Sequence, residues 1–133
     1  MTILGIDWGE KNIGIAFSSG LVAAPFEILR VKNQEEAIEK IVRTCEELQA
    51  EKIVLGIPLD SEGREGNQAR KVRAFGRKLG EEVGGEIVFW NESLSSKEAL
   101  EKKIEAGRGR KSRRELDAVS AAVILQDFLD ASP

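Results

Sequence analysis

Three carboxylates stand at positions in the 133-residue chain where acidic side chains could carry chemistry. Asp7 ends one apolar run, Glu92 comes two residues after another, and Asp117 lies in the first turn of a strongly apolar segment. Ligands of open α/β sheets collect outside the carboxyl ends of the strands, so Asp7 and Glu92 would meet there if their strands run parallel. Asp117 could join them from a helix packed across that end. Converging carboxylates repel one another unless a cation lies between them, and oxygen-only ligation favours Mg²⁺ or Mn²⁺.

Such a site could hydrolyse phosphodiesters, because two cations about 3.5–4 Å apart activate a water and steady the leaving oxygen. The chain has no histidine and no tyrosine, which excludes imidazole bases, Ser–His and Cys–His pairs and His-ligated zinc. Each carboxylate also has an ordinary structural interpretation. Asp7 could stabilise a turn, Glu92 could be a solvated loop residue, and Asp117 could complement a helix dipole. Spacing alone leaves both interpretations open.

The charge is unevenly distributed, although the formal net charge is only −3. Residues 1–63 hold 6 basic against 11 acidic side chains, residues 64–114 hold 14 against 8, and residues 115–133 hold 4 acidic and no basic ones. A basic middle section in an acidic chain predicts a surface that faces a polyanion.

The candidate nucleic-acid contacts are basic side chains on the second predicted helix, in the glycine-containing segment Gly107–Arg114, and beside Asp7. Arginine and lysine cancel phosphate charge, and arginine can do so with two hydrogen bonds. A solvated charged surface is the alternative. The candidates are Lys11, Arg70, Lys71, Arg73, Arg108, Arg110, Lys111, Arg113 and Arg114.

Hydrophobic periodicity and turn residues predict five strands and four helices in one domain over residues 1–133. Pro25 places the third strand at an edge or a bulge, because proline removes a ladder donor. Asn33 with Glu36 predicts the start of the first helix. The order β-β-β-α-β-α-β-α-α predicts a mixed α/β sheet flanked by helices, with three antiparallel hairpin strands and two parallel ones. The strands are Thr2–Asp7, Asn12–Ser18, Leu21–Leu29, Lys52–Ile57 and Glu86–Trp90; the later helices are Asn67–Val83, Ser95 or Ser96 to Ala106, and Glu115–Asp130.

Composition indicates a globular protein, with 41% hydrophobic and 32% charged residues. The apolar runs are too short for a transmembrane helix, and Asp7 interrupts the N-terminal one, unlike a signal peptide. We therefore expect a cytoplasmic location and no membrane partner. The single cysteine, Cys45, lies on the apolar stripe of the first helix and is expected to be a buried packing residue.

Four segments resemble, in order, the sequence blocks of the YqgF/RuvX family of the ribonuclease H-like superfamily. Ile6–Ala16 is similar to its opening D-x-G-x-K-x-x-G-x-A, Ile57–Leu79 to its second block, Asn91–Ala99 to D-E-R-L-[ST]-[ST]-x-x-A, and Asp117–Leu129 to its closing D-x-x-A-A-x-x-I-L-Q-x-[YF]-L. The resemblance implies a ribonuclease H-like fold and a metal-dependent nuclease. It implies a role in 5′-end maturation of pre-16S ribosomal RNA in pre-ribosomal particles or, by relationship, cleavage of four-way DNA junctions. The family's acidic triad falls on Asp7, Glu92 and Asp117.

The D-E-R block departs from the family, since it reads Asn91-Glu92-Ser93 here. The missing carboxylate should weaken cation binding, and the missing arginine should weaken phosphate contact. In the second block, Asp60 stands where the family usually has asparagine. A non-catalytic RNA-binding assembly factor therefore stays open beside the two nucleases. A monomer or weak homodimer is expected, and a symmetric dimer would favour four-way junctions. The motif Asp7-x-Gly9 also resembles actin-like ATPases, but 133 residues leave no room for their second domain.

Overall fold

The computed structural model describes residues 1–92 and 113–131, with the backbone alone at 113–117. Five strands form one sheet: β1 (Thr2–Asp7), β2 (Asn12–Ser18), β3 (Ala23–Arg30), β4 (Ala50–Ile57) and β5 (Glu86–Asn91), in the order β3-β2-β1-β4-β5. The described helices are α1 (Gln34–Leu48), α2 (Asn67–Glu82) and α3 (Arg113–Ala131). Strands β1, β2 and β3 pair antiparallel, whereas β4 runs parallel to both β1 and β5. The predicted mixed sheet is confirmed.

The sheet buries both faces because its central strands are apolar on both sides. One core cluster joins Leu4 and Ile6 of β1 to the apolar stripes of α1 and α2. The other joins Ile3 of β1 and Val54 of β4 to Ala121, Ile124 and Leu125 of α3. Alternate residues along a strand point to opposite faces, so α1 and α2 cover one face and α3 covers the other.

Strand β3 lies at the edge of the sheet and also contains a bulge, as Pro25 predicts. Ile15 pairs with Glu27 and Ala16 with Pro25, so Phe26 is the extra residue on β3. The strand begins at Ala23, two residues later than predicted, because Leu21 and Val22 are exposed in the turn before it. A bulge at an edge bends the strand away from further pairing.

Helix α1 begins as Asn33 predicts. The Asn33 side chain accepts a hydrogen bond from the Glu36 backbone N–H at 2.8 Å. The Glu36 carboxylate accepts from the Lys32 backbone N–H at 3.4 Å rather than from Asn33, so the reciprocal half of a capping box is shifted by one residue. Two hydrogen bonds therefore hold the first turn of α1.

Helix α3 lies very close to β1, because a glycine faces it. A Cβ at Gly5 would stand 2.6 Å from the Leu125 Cβ and 2.9 Å from the Ala121 carbonyl oxygen, so a larger residue would push the helix away. Val119 and Val123 of α3 are also buried, but Ala121, Ile124 and Leu125 belong to the cluster that contacts the sheet.

Helix α3 begins at Arg113, two residues before the predicted start at Glu115, so the last two residues of the basic segment are helical. The predicted helix from Ser95 or Ser96 to Ala106, and most of the basic segment, lie outside the described residues. In the part of the chain that is described, none of the helices has both the length and the apolar composition to cross a membrane.

Cys45 is buried on α1, as predicted, and burial followed by the nearby Glu46 charge raises the pKa of its thiol to about 11 from an ordinary 9.0. We expect the native thiol to react with a disulfide reagent at pH 8 about a hundredfold more slowly than in the urea-unfolded chain. Because folding raises the pKa of the Cys45 thiol, the protonated thiol contributes fully to the free energy of unfolding below pH 9. That contribution is lost as the pH rises to about 11. Thiol-labelling kinetics test the expected slow reaction. Equal labelling rates for the native and the unfolded chain would contradict it.

Candidate active site

The parallel strands β1, β4 and β5 end at one edge of the sheet, which we call the carboxyl edge. Asp7 is the last residue of β1, and Glu92 follows directly after β5. Ile6 lies opposite Leu55, and Leu55 lies opposite Phe89, so the three strand ends are in register. The structure therefore places both predicted carboxylates at the same edge.

Both carboxylates also belong to the face covered by α3. Gly5, two residues before Asp7, contacts α3, and Trp90, two residues before Glu92, packs edge-to-face on Phe128 of α3 at 5.5 Å. Strand alternation then gives Asp7 and Glu92 the same face as α3. Glu92 shows this directly, because its Oε2 atom is buried and lies 2.8 Å from the position a Cβ would take at Gly56.

Helix α3 runs antiparallel to β4 and brings its N-terminal half to the carboxyl edge. Ile124 lies against Gly56 near the end of β4, whereas Phe128 lies 5.5 Å from the Lys52 ammonium near its start. Asp117 precedes Ala121 by one helical turn and is therefore on the part of α3 nearest the edge. Its side chain lies outside the described residues.

The donor set at this edge consists of carboxylate oxygens, which suits a hard divalent cation. Among the side chains that the structure describes, no three acidic, histidine or cysteine groups come together as a metal cluster. Asp7 and Glu92 bring two carboxylates to this edge, and the side chain of the third predicted ligand, Asp117, lies outside the described residues. A cavity of about 500 Å³ beside Cys45, Lys52 and Gly85 lies at the opposite edge of the sheet and includes neither carboxylate.

Gly56 is a residue beside Glu92 that the sequence analysis missed. A Cβ there would meet Ile124 Cδ1 at 2.6 Å and Glu92 Oε2 at 2.8 Å, so the glycine leaves the space into which the Glu92 carboxylate extends. The available signal was a glycine inside an otherwise apolar strand, which marks a close approach by another group.

The Asp60 carboxylate is bound within its own loop, between β4 and α2. Its exposed carboxylate accepts hydrogen bonds from the backbone N–H groups of Glu62 and Arg64, at 2.9 and 2.8 Å, and from Arg64 Nε at 3.1 Å. These bonds, chiefly the one from the Arg64 backbone, hold the pKa of Asp60 below its usual value. The residue holds its own loop together.

The predicted basic residues of α2 lie across the sheet from α3, and two of them are already paired. Lys71 Nζ contacts Glu10 Oε1 at 2.6 Å, and Arg73 Nε contacts Glu65 Oε1 at 2.7 Å. The hydrogen bond from Lys71 lowers the pKa of Glu10, so the pair stays charged. Pairing reduces what Lys71 and Arg73 can offer to a phosphate, an effect that charge counting along the sequence overlooks.

Lys11 and Arg70 are exposed, and neither makes an ion pair with another described residue. The remaining candidates are in or next to the undescribed segment. Arg108, Arg110 and Lys111 lie within it, and Arg113 and Arg114 contribute the first backbone positions of α3.

Comparison with known proteins decides the family. The sequence profile described as "RuvX: Holliday junction resolvase" matches residues 1–131. This chain belongs to the RuvX family. A relative from Syntrophomonas wolfei subsp. wolfei, named "Putative pre-16S rRNA nuclease", is 44% identical to this RuvX-family chain over 133 residues, covering 98% of this chain and 94% of that protein. A relative of the same name from Clostridium beijerinckii is 37% identical over 133 residues, covering 98% and 96%.

Solved structures similar to this RuvX-family chain include Holliday junction resolvases. Thermus thermophilus RuvC in complex with a Holliday junction substrate has a TM-score of 0.62 at 18% identity, covering 98% of this chain and 94% of that one. The fowlpox virus resolvase in complex with Holliday junction DNA has a TM-score of 0.60 at 12% identity, covering 98% of both chains. At these identities the similarity concerns the fold, and the predicted ribonuclease H-like architecture is confirmed.

Proposed function

We propose that this chain is a metal-dependent endonuclease that hydrolyses phosphodiester bonds in structured nucleic acid, with precursor 16S ribosomal RNA as its substrate. The observation that carries the proposal is the position of Asp7 and Glu92 on one face of the carboxyl edge, beneath the helix that contains Asp117. The names of the RuvX-family relatives support the choice of substrate. The proposed setting is a pre-ribosomal particle in the cytoplasm, with the protein as a monomer or weak homodimer.

In this proposal Asp7, Glu92 and Asp117 hold Mg²⁺ or Mn²⁺ through their carboxylate oxygens. The bound cation supplies an activated water and a counter-charge for the leaving oxygen. The Glu92 carboxylate is held before the substrate arrives, since its Oε2 atom is buried beside Gly56 of β4. Asp7 is the last residue of the central strand β1, so the sheet holds its backbone in place. Ligands on strands are held more accurately than ligands on loops.

The nucleic-acid backbone is proposed to contact the basic side chains around the carboxyl edge. The pairing of Lys71 with Glu10 and of Arg73 with Glu65 gives Lys11, Arg70 and the segment Arg108–Arg114 the larger share of this role. Lysine and arginine contacts to phosphates supply affinity and register rather than sequence preference.

We expect Arg70→Ala to weaken RNA binding without changing which sequences bind, because it removes one phosphate contact. The slope of log affinity against log salt should become shallower by about 1. Fluorescence anisotropy at several salt concentrations measures both quantities. Arg43→Ala is the matched control, since Arg43 is an exposed arginine of α1 that pairs with Glu39. An equal loss of affinity in the two variants would argue against a specific role for Arg70.

Cleavage of a four-way DNA junction is the second candidate, and it is favoured by the fold similarity to two resolvases bound to such junctions. Both substrates would use the same carboxylates, so substrate preference has to be measured. We would incubate the protein with 5′-labelled precursor 16S rRNA and, separately, with a four-way junction, each with Mg²⁺, Mn²⁺ or EDTA.

Faster metal-dependent cleavage of the RNA supports the proposal, and faster cleavage of the junction by a symmetric dimer supports the resolvase. Binding of RNA with no cleavage under any condition would contradict both. It would indicate the third function, a non-catalytic assembly factor, which the Asn91 and Ser93 departures from the family pattern suggest.

A further inference from the structure

A cavity of about 320 Å³ opens beside the candidate active site, on the α1–α2 side of the carboxyl edge. Its volume is at the lower end of the range for small-ligand pockets. Trp8 lines this cavity and directly follows Asp7, the last residue of β1. Its ring packs on Phe75 of α2, so the cavity and the proposed cation site occupy opposite faces of the same edge. The walls include Trp8, Val31, Asn33, Ala37, Lys71 and Ala74.

The walls of the cavity are tied together by hydrogen bonds. The Val31 backbone N–H donates to the Lys11 carbonyl oxygen at 2.9 Å, which joins β3 to the β1–β2 turn. The Lys71–Glu10 ion pair at 2.6 Å joins the same turn to α2. Asn33 caps α1 and is itself held by the Glu36 N–H. The cavity is therefore a built feature of the fold.

The chemistry of the walls suits a flat heteroaromatic ring. The Trp8 indole packs on the buried Phe75 ring, with centroids 5.9 Å apart, and is partly exposed toward the cavity. The small side chains of Ala37 and Ala74 leave space in the cavity for a ring. The amide groups of Asn33 and Gln34 can form hydrogen bonds with the polar edge of that ring. Glu10 cancels much of the Lys71 charge, which makes the cavity a poor site for a phosphate alone.

We propose that this cavity receives an unpaired nucleobase of the substrate, from a nucleotide that flanks the cleaved phosphodiester. The inference rests on the proposed function, because the phosphate held near Asp7 and Glu92 is what brings that nucleotide to Trp8. Stacking on an aromatic side chain accepts any base, and enzymes that act on nucleic acid bind extruded bases in such pockets. The substrate would then be a nucleic acid with an unstacked nucleotide beside the cleavage point.

The test measures binding of a free nucleotide, so that it does not depend on cleavage. The chain has two tryptophans, and Trp90→Phe assigns their two indole N–H signals in an NMR spectrum. Adenosine 5′-monophosphate is expected to shift the Trp8 signal in a saturable way and to leave Trp90 unchanged. Ribose 5-phosphate, which carries the same phosphate without a base, is expected to shift neither signal.

Ala74→Leu fills the cavity while leaving Trp8 on Phe75, so it avoids the folding problem of removing a core tryptophan. It should weaken nucleotide binding about tenfold or more, the loss expected for one base–aromatic stack. Gln68→Leu is the matched control, since Gln68 is exposed on α2 and does not line the cavity.

No saturable shift of Trp8, an equal shift with ribose 5-phosphate, or unchanged binding in Ala74→Leu would each overturn the inference. Nucleotide binding without any metal-dependent cleavage would leave this cavity standing and refute the nuclease. Metal-dependent cleavage without nucleotide binding at Trp8 would support the nuclease and refute the proposed role of this cavity.

Discussion

Replacing Asp7 with asparagine is expected to reduce metal-dependent cleavage by more than about a hundredfold while RNA binding stays equal or becomes tighter. Loss of a group that merely orients a metal ligand costs 10–100-fold, and loss of a direct ligand should cost more. Asparagine keeps the size of the side chain and removes its charge. Removing one negative charge from the carboxyl edge also lowers repulsion of the RNA backbone, so affinity should not fall. Single-turnover cleavage and anisotropy measure the two quantities.

The control for this variant is Asp130→Asn. Asp130 is an exposed acid at the far end of α3 and accepts a hydrogen bond from Gln126 Nε2 at 2.9 Å. Its replacement changes the net charge equally, but at the other edge of the sheet. Cleavage by Asp7→Asn at the wild-type rate would refute the assignment of Asp7.

Replacing Gly56 with alanine is expected to reduce cleavage about a hundredfold, because misplacing a catalytic group by about 1 Å can cost that much. The new Cβ would stand 2.8 Å from Glu92 Oε2 and 2.6 Å from Ile124 Cδ1, so both side chains must move. Both are ends of side chains rather than backbone, and the free energy of unfolding should fall by only about 1–2 kcal/mol. Gly84→Ala is the control, since a Cβ there meets nothing within 4 Å.

A double variant separates the effect on activity from the effect on stability. Ile124→Val removes the Cδ1 atom that the new Cβ would strike, so Gly56→Ala/Ile124→Val should recover stability relative to the sum of the single variants. It should remain as inactive as Gly56→Ala, because the Glu92 carboxylate is still displaced. Urea unfolding and cleavage are measured on the same samples. Recovery of activity together with stability would mean that Gly56 acts only through folding.

The sequence was sufficient to predict the placement of Asp7 and Glu92, because each follows an apolar run whose length and turns define a strand end. It did not predict how closely α3 approaches the sheet. That contact depends on Gly5 and Gly56 facing Leu125 and Ile124, which are more than sixty residues away in the chain. Periodicity along α3 is also weak as a guide, since residues 118–125 are buried all round the helix.

The basic face of α2 shows a second limit of sequence reasoning. Glu10 and Lys71 are separated by 61 positions, yet they form an ion pair across the carboxyl edge. A count of charges treats Lys71 as available to phosphate, whereas the fold pairs it. Local signals such as the Asn33 cap and the Pro25 bulge were predictable because the groups involved are neighbours in the chain.

The most direct test of the central claim is where Mn²⁺ binds, read from paramagnetic broadening of backbone amide NMR signals. We expect substoichiometric Mn²⁺ to broaden the signals of Asp7, Glu92 and Asp117, while those of Ala50 and Glu86 at the opposite edge stay sharp. The same broadening should be lost in Asp7→Asn. Broadening centred on another acidic surface such as α1, or broadening that is unchanged in Asp7→Asn, would contradict a cation site at the carboxyl edge.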